Sequence, residues 1–276
     1  MESSSSTKRF NSVCIFGGAS HGNDACFTEA AHNLGRTLGE KCMHIVYGGG
    51  NLGLMGRTAA SAYMEGVRVL GVIPKPLAES KICGATIGDE FRAVNMQDRI
   101  SHMVNNSDAF ITLPGGFGTL EELFHVVTRA QLNVHRKPIG LLNVNGFFDG
   151  LNSFINFSSE KGFISERAKC IIVIATTPEE LIEKLLAFVP EADPAVARIV
   201  WTENFSMRNA ELIHFSPSNP ISFVVSIYFR KCENRENDGR IKSSCQSLET
   251  HLYTIYVLLF LFSVLLSFLF NKLMAA

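Results

Sequence analysis

Short apolar runs and longer stretches of helical period alternate along the chain from residue 12 to about 190. Residues 12–16 (SVCIF) form the first unbroken run and end in Gly17-Gly18, the pattern of a buried strand entering a tight turn. Asn23 or Asp24 is placed to cap a following helix whose apolar face carries Ala30, Leu34 and Leu38. The alternation then repeats, with strands expected at 44–47, 67–73, 109–113, 138–144 and 171–175. Helices are expected up to about Glu65, then at 120–132, 147–161 and 178–188, the last with Pro178 in its first turn. Pro74 and Pro76 stop the third strand. This rhythm predicts an α/β domain of Rossmann-like type, a doubly wound parallel sheet with helices on both faces and right-handed crossovers.

The pattern changes after Pro190. Residues 191–250 have weak periodicity, a β-prone run at 221–229 and a polar stretch from Arg230, and read as an irregular linker. Residues 252–270 (LYTIYVLLFLFSVLLSFLF) carry no charge, and an apolar helix over 251–271 is about long enough to cross a bilayer's hydrocarbon core. Tyr253, Tyr256 and Lys272 suit interfacial positions. The expectation is a C-terminal transmembrane tail anchor; the competing reading is a tail without a physiological role. Residues 1–11 are serine-rich, expected to be disordered, and show neither a signal-peptide nor a transit-peptide pattern. The expected catalytic unit is 12–190, with a cytoplasmic location.

The chain of 276 residues is 46% hydrophobic, a figure swollen by the C-terminal block. A net charge of -1 without a concentrated basic stripe gives no reason to expect a polyanionic partner, so no nucleic-acid binding is expected. Seven cysteines lie singly, in neither zinc nor redox spacing, which fits reduced thiols. The histidines form no ligand-like pair, and no metal is expected.

Chemistry concentrates at the glycines. Pro114-Gly115-Gly116-Phe117-Gly118-Thr119-Leu120-Glu121-Glu122 stands between an expected strand and an expected helix. Glycines let the backbone approach a ligand, and the helix start offers unpaired N–H groups and a positive dipole end, together an anion site suited to phosphate. The same turn also reads as plain geometry, and Thr119 with Glu122 fits a capping box in which the glutamate is structural. Two further turns, Gly17-Gly18-Ala19-Ser20 and Gly48 to Gly56 with Gly49 and Gly50, follow other strands and open on the same sheet edge. The Gly48-x-Gly50-x-x-Gly53 spacing lacks the acidic residue of a dinucleotide site, so no NAD or other cofactor is expected. Arg99, taken by itself, reads as a solvated helix arginine.

YGGGNLGLMG (47–56) and PGGFGTLEE (114–122) resemble the two signatures of the LONELY GUY family, cytokinin riboside 5′-monophosphate phosphoribohydrolases once mislabelled as lysine decarboxylases. GVIPK, MQDR, SDAFITLPGG and KPIGLLNVNGFFDG extend the likeness over about residues 13–190. The resemblance implies a plant enzyme that hydrolyses N6-substituted AMP to the free adenine base and ribose 5-phosphate. It also implies a homodimer with sites near the subunit interface. Carried onto this chain, it makes Arg99 and Glu122 catalytic, with Glu121 as the fallback. Gly115, Gly116, Gly118 and Thr119 match the phosphate cradle, and Glu121 and Thr128 fall at positions that line the nucleotide; Phe117 and Leu120 of the same turn, and Gly18, Ser20, Gly49 and Gly50 of the other two, are expected to complete the binding crevice. Members commonly have Arg-Lys where this chain has Arg99-Ile100, so Ile100 leaves one positive charge missing beside the nucleoside monophosphate. Alternatives are the same hydrolysis of plain AMP and a non-catalytic nucleotide-binding module. Decarboxylation is rejected for want of a lysine in a pyridoxal phosphate-like context.

Overall fold

The computed structural model describes residues 10–194, 196–199 and 201. Its strands are β1 Ser12–Phe16, β2 His44–Tyr47, β3 Val69–Pro74, β4 Asp89–Ala93, β5 Ala109–Thr112, β6 Ile139–Leu142 and β7 Ile172–Ala175. All pair in parallel in the order β4-β3-β2-β1-β5-β6-β7. The order reverses between β1 and β5, and a parallel sheet opens its ligand crevice at such a point. The expected doubly wound sheet is therefore present.

The helices are α1 Ala25–Glu40, α2 Gly53–Met64, α3 Lys75–Ser80, α4 Met96–Asn105, α5 Phe117–Gln131, α6 Asp149–Glu160, α7 Glu166–Lys169 and α8 Pro178–Ala187. On one face of the sheet α1, α2 and α8 press Leu34, Leu38, Leu54, Ala62 and Leu181 onto Val13, Ile15, Ile45 and Ile111. On the other, α4 and α5 press Ile100, Met103, Leu123 and Val126 onto Cys14, Phe16, Val46 and Phe110. The central strands are buried on both faces, hence their unbroken apolar runs. Of the two candidate caps, Asp24 is used, its carboxylate accepting from the Cys26 N–H at 3.0 Å.

β4, α3, α4 and α7 have no counterpart among the expected segments. β4 (DEFRA) is an edge strand with charged, mostly exposed side chains, so it presents no apolar run. α4 is capped by Asn95 and buries Arg99 along with Ile100, Met103 and Val104. Pro76 stands in the first turn of the short α3 rather than only ending β3. The helix expected from residue 147 starts at Asp149, after a 3-10 turn at Val144–Gly146.

Beyond Pro190 the described chain stays bonded to the domain. Ser165 donates to Asp193 at 3.1 Å, Arg167 to the Ala192 carbonyl at 3.5 Å, and the Trp201 indole to the Leu132 carbonyl at 2.8 Å. Among the described residues no helix is long and apolar enough to cross a membrane. The span expected at 251–271, like the N-terminal stretch 1–9 and the remainder of the linker, lies outside the described residues.

Candidate functional site

Three glycine turns meet at Gly18. Its N–H donates to the Pro114 carbonyl at 2.9 Å, and its own carbonyl accepts from the N–H groups of Leu54 at 2.9 Å and Met55 at 3.4 Å. The turns after β1, β2 and β5 are thus stitched into one floor at the topological switch. Glycine is required at two seams. Gly53 has φ +67°, and a Cβ there would strike the Gly18 carbonyl; a Cβ on Gly115 would lie 2.8 Å from the Gly18 nitrogen.

Above this floor α5 begins. Gly116 is its N-cap and supplies no side-chain hydrogen bond, so the first N–H groups of the helix remain to be satisfied from outside. A Cβ on Gly116 or Gly118 would meet no atom within 4 Å, and Phe117 is 94% exposed. The helix start is therefore open to a ligand and carries the positive end of the dipole.

The alternative capping box of Thr119 and Glu122 does not form. α5 starts at Phe117 rather than near Leu120, which puts Thr119 inside the first turn and Glu122 in the second, out of reach of an N-cap role. Glu122 instead meets Arg99 Nη2 at 2.6 Å. Arg99 also donates from Nε to the Val72 carbonyl at 3.1 Å, and its guanidinium lies against Gly48, where any side chain would collide with it. The pair is enclosed, with Arg99 7% and Glu122 6% exposed, so the reading of Arg99 as a solvated helix arginine is corrected. Its positive charge is tolerated in the interior because a carboxylate and a carbonyl take its donors. Burial pushes the Glu122 carboxyl above the ordinary glutamate range; Arg99 opposes that shift and Glu121 adds to it.

The other expected site residues fall in different places. Gly18, Gly49 and Gly50 are buried in the floor, Ser20 is exposed at its rim, and Thr119 is tucked beneath Gly115. Glu121 is exposed, and Thr128 is exposed further along α5. Leu120 packs against the apolar cluster under the sheet. Ile100 is sealed in that cluster at 3% exposure, which leaves it no surface for a ligand. Gly48 and the Val72 carbonyl, which seat Arg99, were not expected. A backbone acceptor has no sequence signature, and Gly48 was legible only as one member of a glycine run.

Comparison with known proteins gives a consistent picture. A family model described as "Possible lysine decarboxylase" matches residues 55–185. An Arabidopsis thaliana cytokinin riboside 5′-monophosphate phosphoribohydrolase is 46% identical over 195 residues, covering 71% of this chain and 90% of that one. A second one from Arabidopsis is 43% identical over 214 residues, covering 78% and 97%. Among solved structures, a structural-genomics target determined by X-ray is similar with a TM-score of 0.51 and 20% identity, covering 64% of this chain and 99% of that one. That likeness speaks to the fold alone.

Proposed function

This chain belongs to the cytokinin riboside 5′-monophosphate phosphoribohydrolase family, and from that premise we propose that it hydrolyses the N-glycosidic bond of N6-substituted AMP. The products are the free N6-substituted adenine and ribose 5-phosphate. The observation that carries the reading is the enclosed Arg99–Glu122 pair beside the open, glycine-lined start of α5.

The 5′-phosphate sits on the N–H groups of Gly116 to Thr119, where the helix dipole and the absent side chains favour an anion. Cleaving the ribosyl–base bond develops positive charge on the sugar. A carboxylate beside the anomeric carbon stabilises that charge and takes a proton from the attacking water. Glu122 fills this role. Its charge acts in a weakly screened interior, whereas the exposed Glu121 is screened by water. Arg99 offsets the negative charge leaving with the base or held on the phosphate.

The test is product analysis on the full chain offered isopentenyl-AMP and AMP in parallel, with Glu122→Gln beside it. Release of isopentenyladenine and ribose 5-phosphate, slower from AMP, is expected. The variant is expected to keep most nucleotide binding while adding about 2–4 kcal/mol to the barrier, the usual cost of losing one transition-state electrostatic group. Tight binding with no base released from either nucleotide would overturn the enzymatic reading.

The same reading includes a homodimer and a membrane-held catalytic domain. Exposed apolar side chains at Val94 (79%), Met96 (52%) and Phe124 (39%), on and beside α4 and α5, support self-association close to the site. Light scattering at micromolar concentration checks it, a monomer mass being the contrary result. The uncharged run at 252–270 supports tail anchoring, and flotation with lipid vesicles tests it.

A further inference from the structure

The last rung of the sheet beneath the Arg99–Glu122 pair holds one polar side chain that neither the fold nor the mechanism above has used. Phe16 pairs with Thr112, and Ile15 with Tyr47 one step earlier, so Gly48, Phe16 and Thr112 stand level across β2, β1 and β5. Side chains alternate along a strand, and Phe110 lies in the cluster under α4 and α5, so Thr112 points to that same face. The Arg99 guanidinium lies over Gly48 at one end of this rung. Thr112 is at the other end, about 10 Å away at the ordinary strand spacing. Glu122 is bonded to Arg99 and comes from α5, whose Leu123 and Val126 pack on this same face.

Thr112 is 0% exposed, yet among the described residues its hydroxyl has no hydrogen-bond partner. A buried hydroxyl left unpaired is costly, and valine would fill the same volume without that cost. A polar group retained there points to a partner in the working state. The acceptor that α5 brings to this face is the Glu122 carboxylate, whose only hydrogen bond among the described residues is to Arg99. A carboxylate accepts several.

We propose that Thr112 is a positioning residue for Glu122, its hydroxyl donating to the carboxylate directly or through one bridging water. The inference rests on the assignment of Glu122 to the reaction. The groups facing Glu122 are then Arg99 from α4, Glu121 from α5, the Cys14 thiol from β1 and Thr112 from β5. Burial and Glu121 oppose ionisation of the carboxylate and Arg99 favours it; the Thr112 hydroxyl adds a second donor on the side of the ionised form.

The experiment compares Thr112→Val, which keeps the shape and removes the donor, with Thr112→Ser, which keeps the donor, in the full-length protein. Glu122 is titrated by NMR through carboxyl-labelled glutamate, assigned with Glu122→Gln, and kcat and KM are followed against pH. Thr112→Val is expected to raise the Glu122 midpoint by about one pH unit, the scale of one hydrogen bond to an ionised group. The acid limb of kcat moves with it, KM holds, and Thr112→Ser restores both. An unmoved midpoint in Thr112→Val, or an equal shift in both variants, overturns the proposal. If Thr112→Val does not fold, Thr112→Ala against Thr112→Ser gives the same contrast. The NMR midpoint does not depend on turnover. A shifted midpoint in a protein that releases no base therefore defeats the hydrolase reading alone, and base release with an unmoved midpoint defeats this inference alone.

Discussion

At Arg99 and Glu122 two charges have been taken out of water, and neither is tolerable without the other. Replacing Arg99 by alanine strands a carboxylate in an apolar setting, and such a loss costs about 3–5 kcal/mol. Replacing both by methionine removes both desolvation penalties, so the double variant is expected to recover most of that stability in urea unfolding while releasing no base. A double variant as unstable as Arg99→Ala would mean that the pair itself holds the fold. The pH dependence follows from the direction of two shifts. Glu122 is raised by burial, so the native state keeps a proton that the unfolded chain has released, a contribution present at low pH and lost as pH rises through the native value. The proposed mechanism needs the carboxylate, so kcat/KM should rise with pH through that same value, above the usual glutamate midpoint of about 4.3. His135 runs the other way. Burial lowers it to about 4, so the unfolded chain takes up a proton first, and stability is lost as pH falls from about 6.5 toward 4. His135→Phe is expected to flatten that slope in a series of melts from pH 7 to pH 4; an unchanged slope would show that other groups set it.

Each turn of the site is a glycine hinge between a strand and a helix, and the glycines do different work. Gly53 holds φ +67° against the Gly18 carbonyl, so Gly53→Ala combines backbone strain with a collision. A loss of about 1–3 kcal/mol is expected for such a conformation, and turnover should fall with it because Gly18 also carries the turn before α5. Gly118 lies inside α5 with open space where a Cβ would go. Gly118→Ala is therefore expected to stabilise by up to about 1 kcal/mol on helix propensity while raising KM, because the methyl group would stand over the proposed phosphate seat. Thermal melts and KM measured on both variants separate the roles; a stable Gly118→Ala with unchanged KM would remove the helix start from the phosphate site. Most elements were legible, since buried parallel strands are apolar throughout and their helices carry a 3.6-residue stripe. β4 was not, because DEFRA at a sheet edge pairs through its backbone and leaves charged side chains outside.

For the molecule as a whole, the contacts of Asp193, Ala192 and Trp201 tie the stretch after Pro190 to the domain. A chain ending at residue 190 is expected to melt roughly 2–4 °C below one ending at residue 203, through the loss of on the order of 1 kcal/mol. Equal melting temperatures would make those contacts dispensable. The amino-acid sequence by itself determined the class of fold, the three glycine turns and the family, because these depend on local periodicity and on residues that are neighbours in the chain. Tertiary structure decided where Glu122 sits and what it meets. The PGGFGTLEE segment left a capping glutamate open beside a catalytic one, and the start of α5 at Phe117 removed the first reading. The partner, Arg99, comes from a helix more than twenty positions earlier, seated by the smallness of Gly48 and a carbonyl of β3. An ion pair of this kind depends on how two helices cross one sheet, a relation set by packing that no stretch of chain encodes alone.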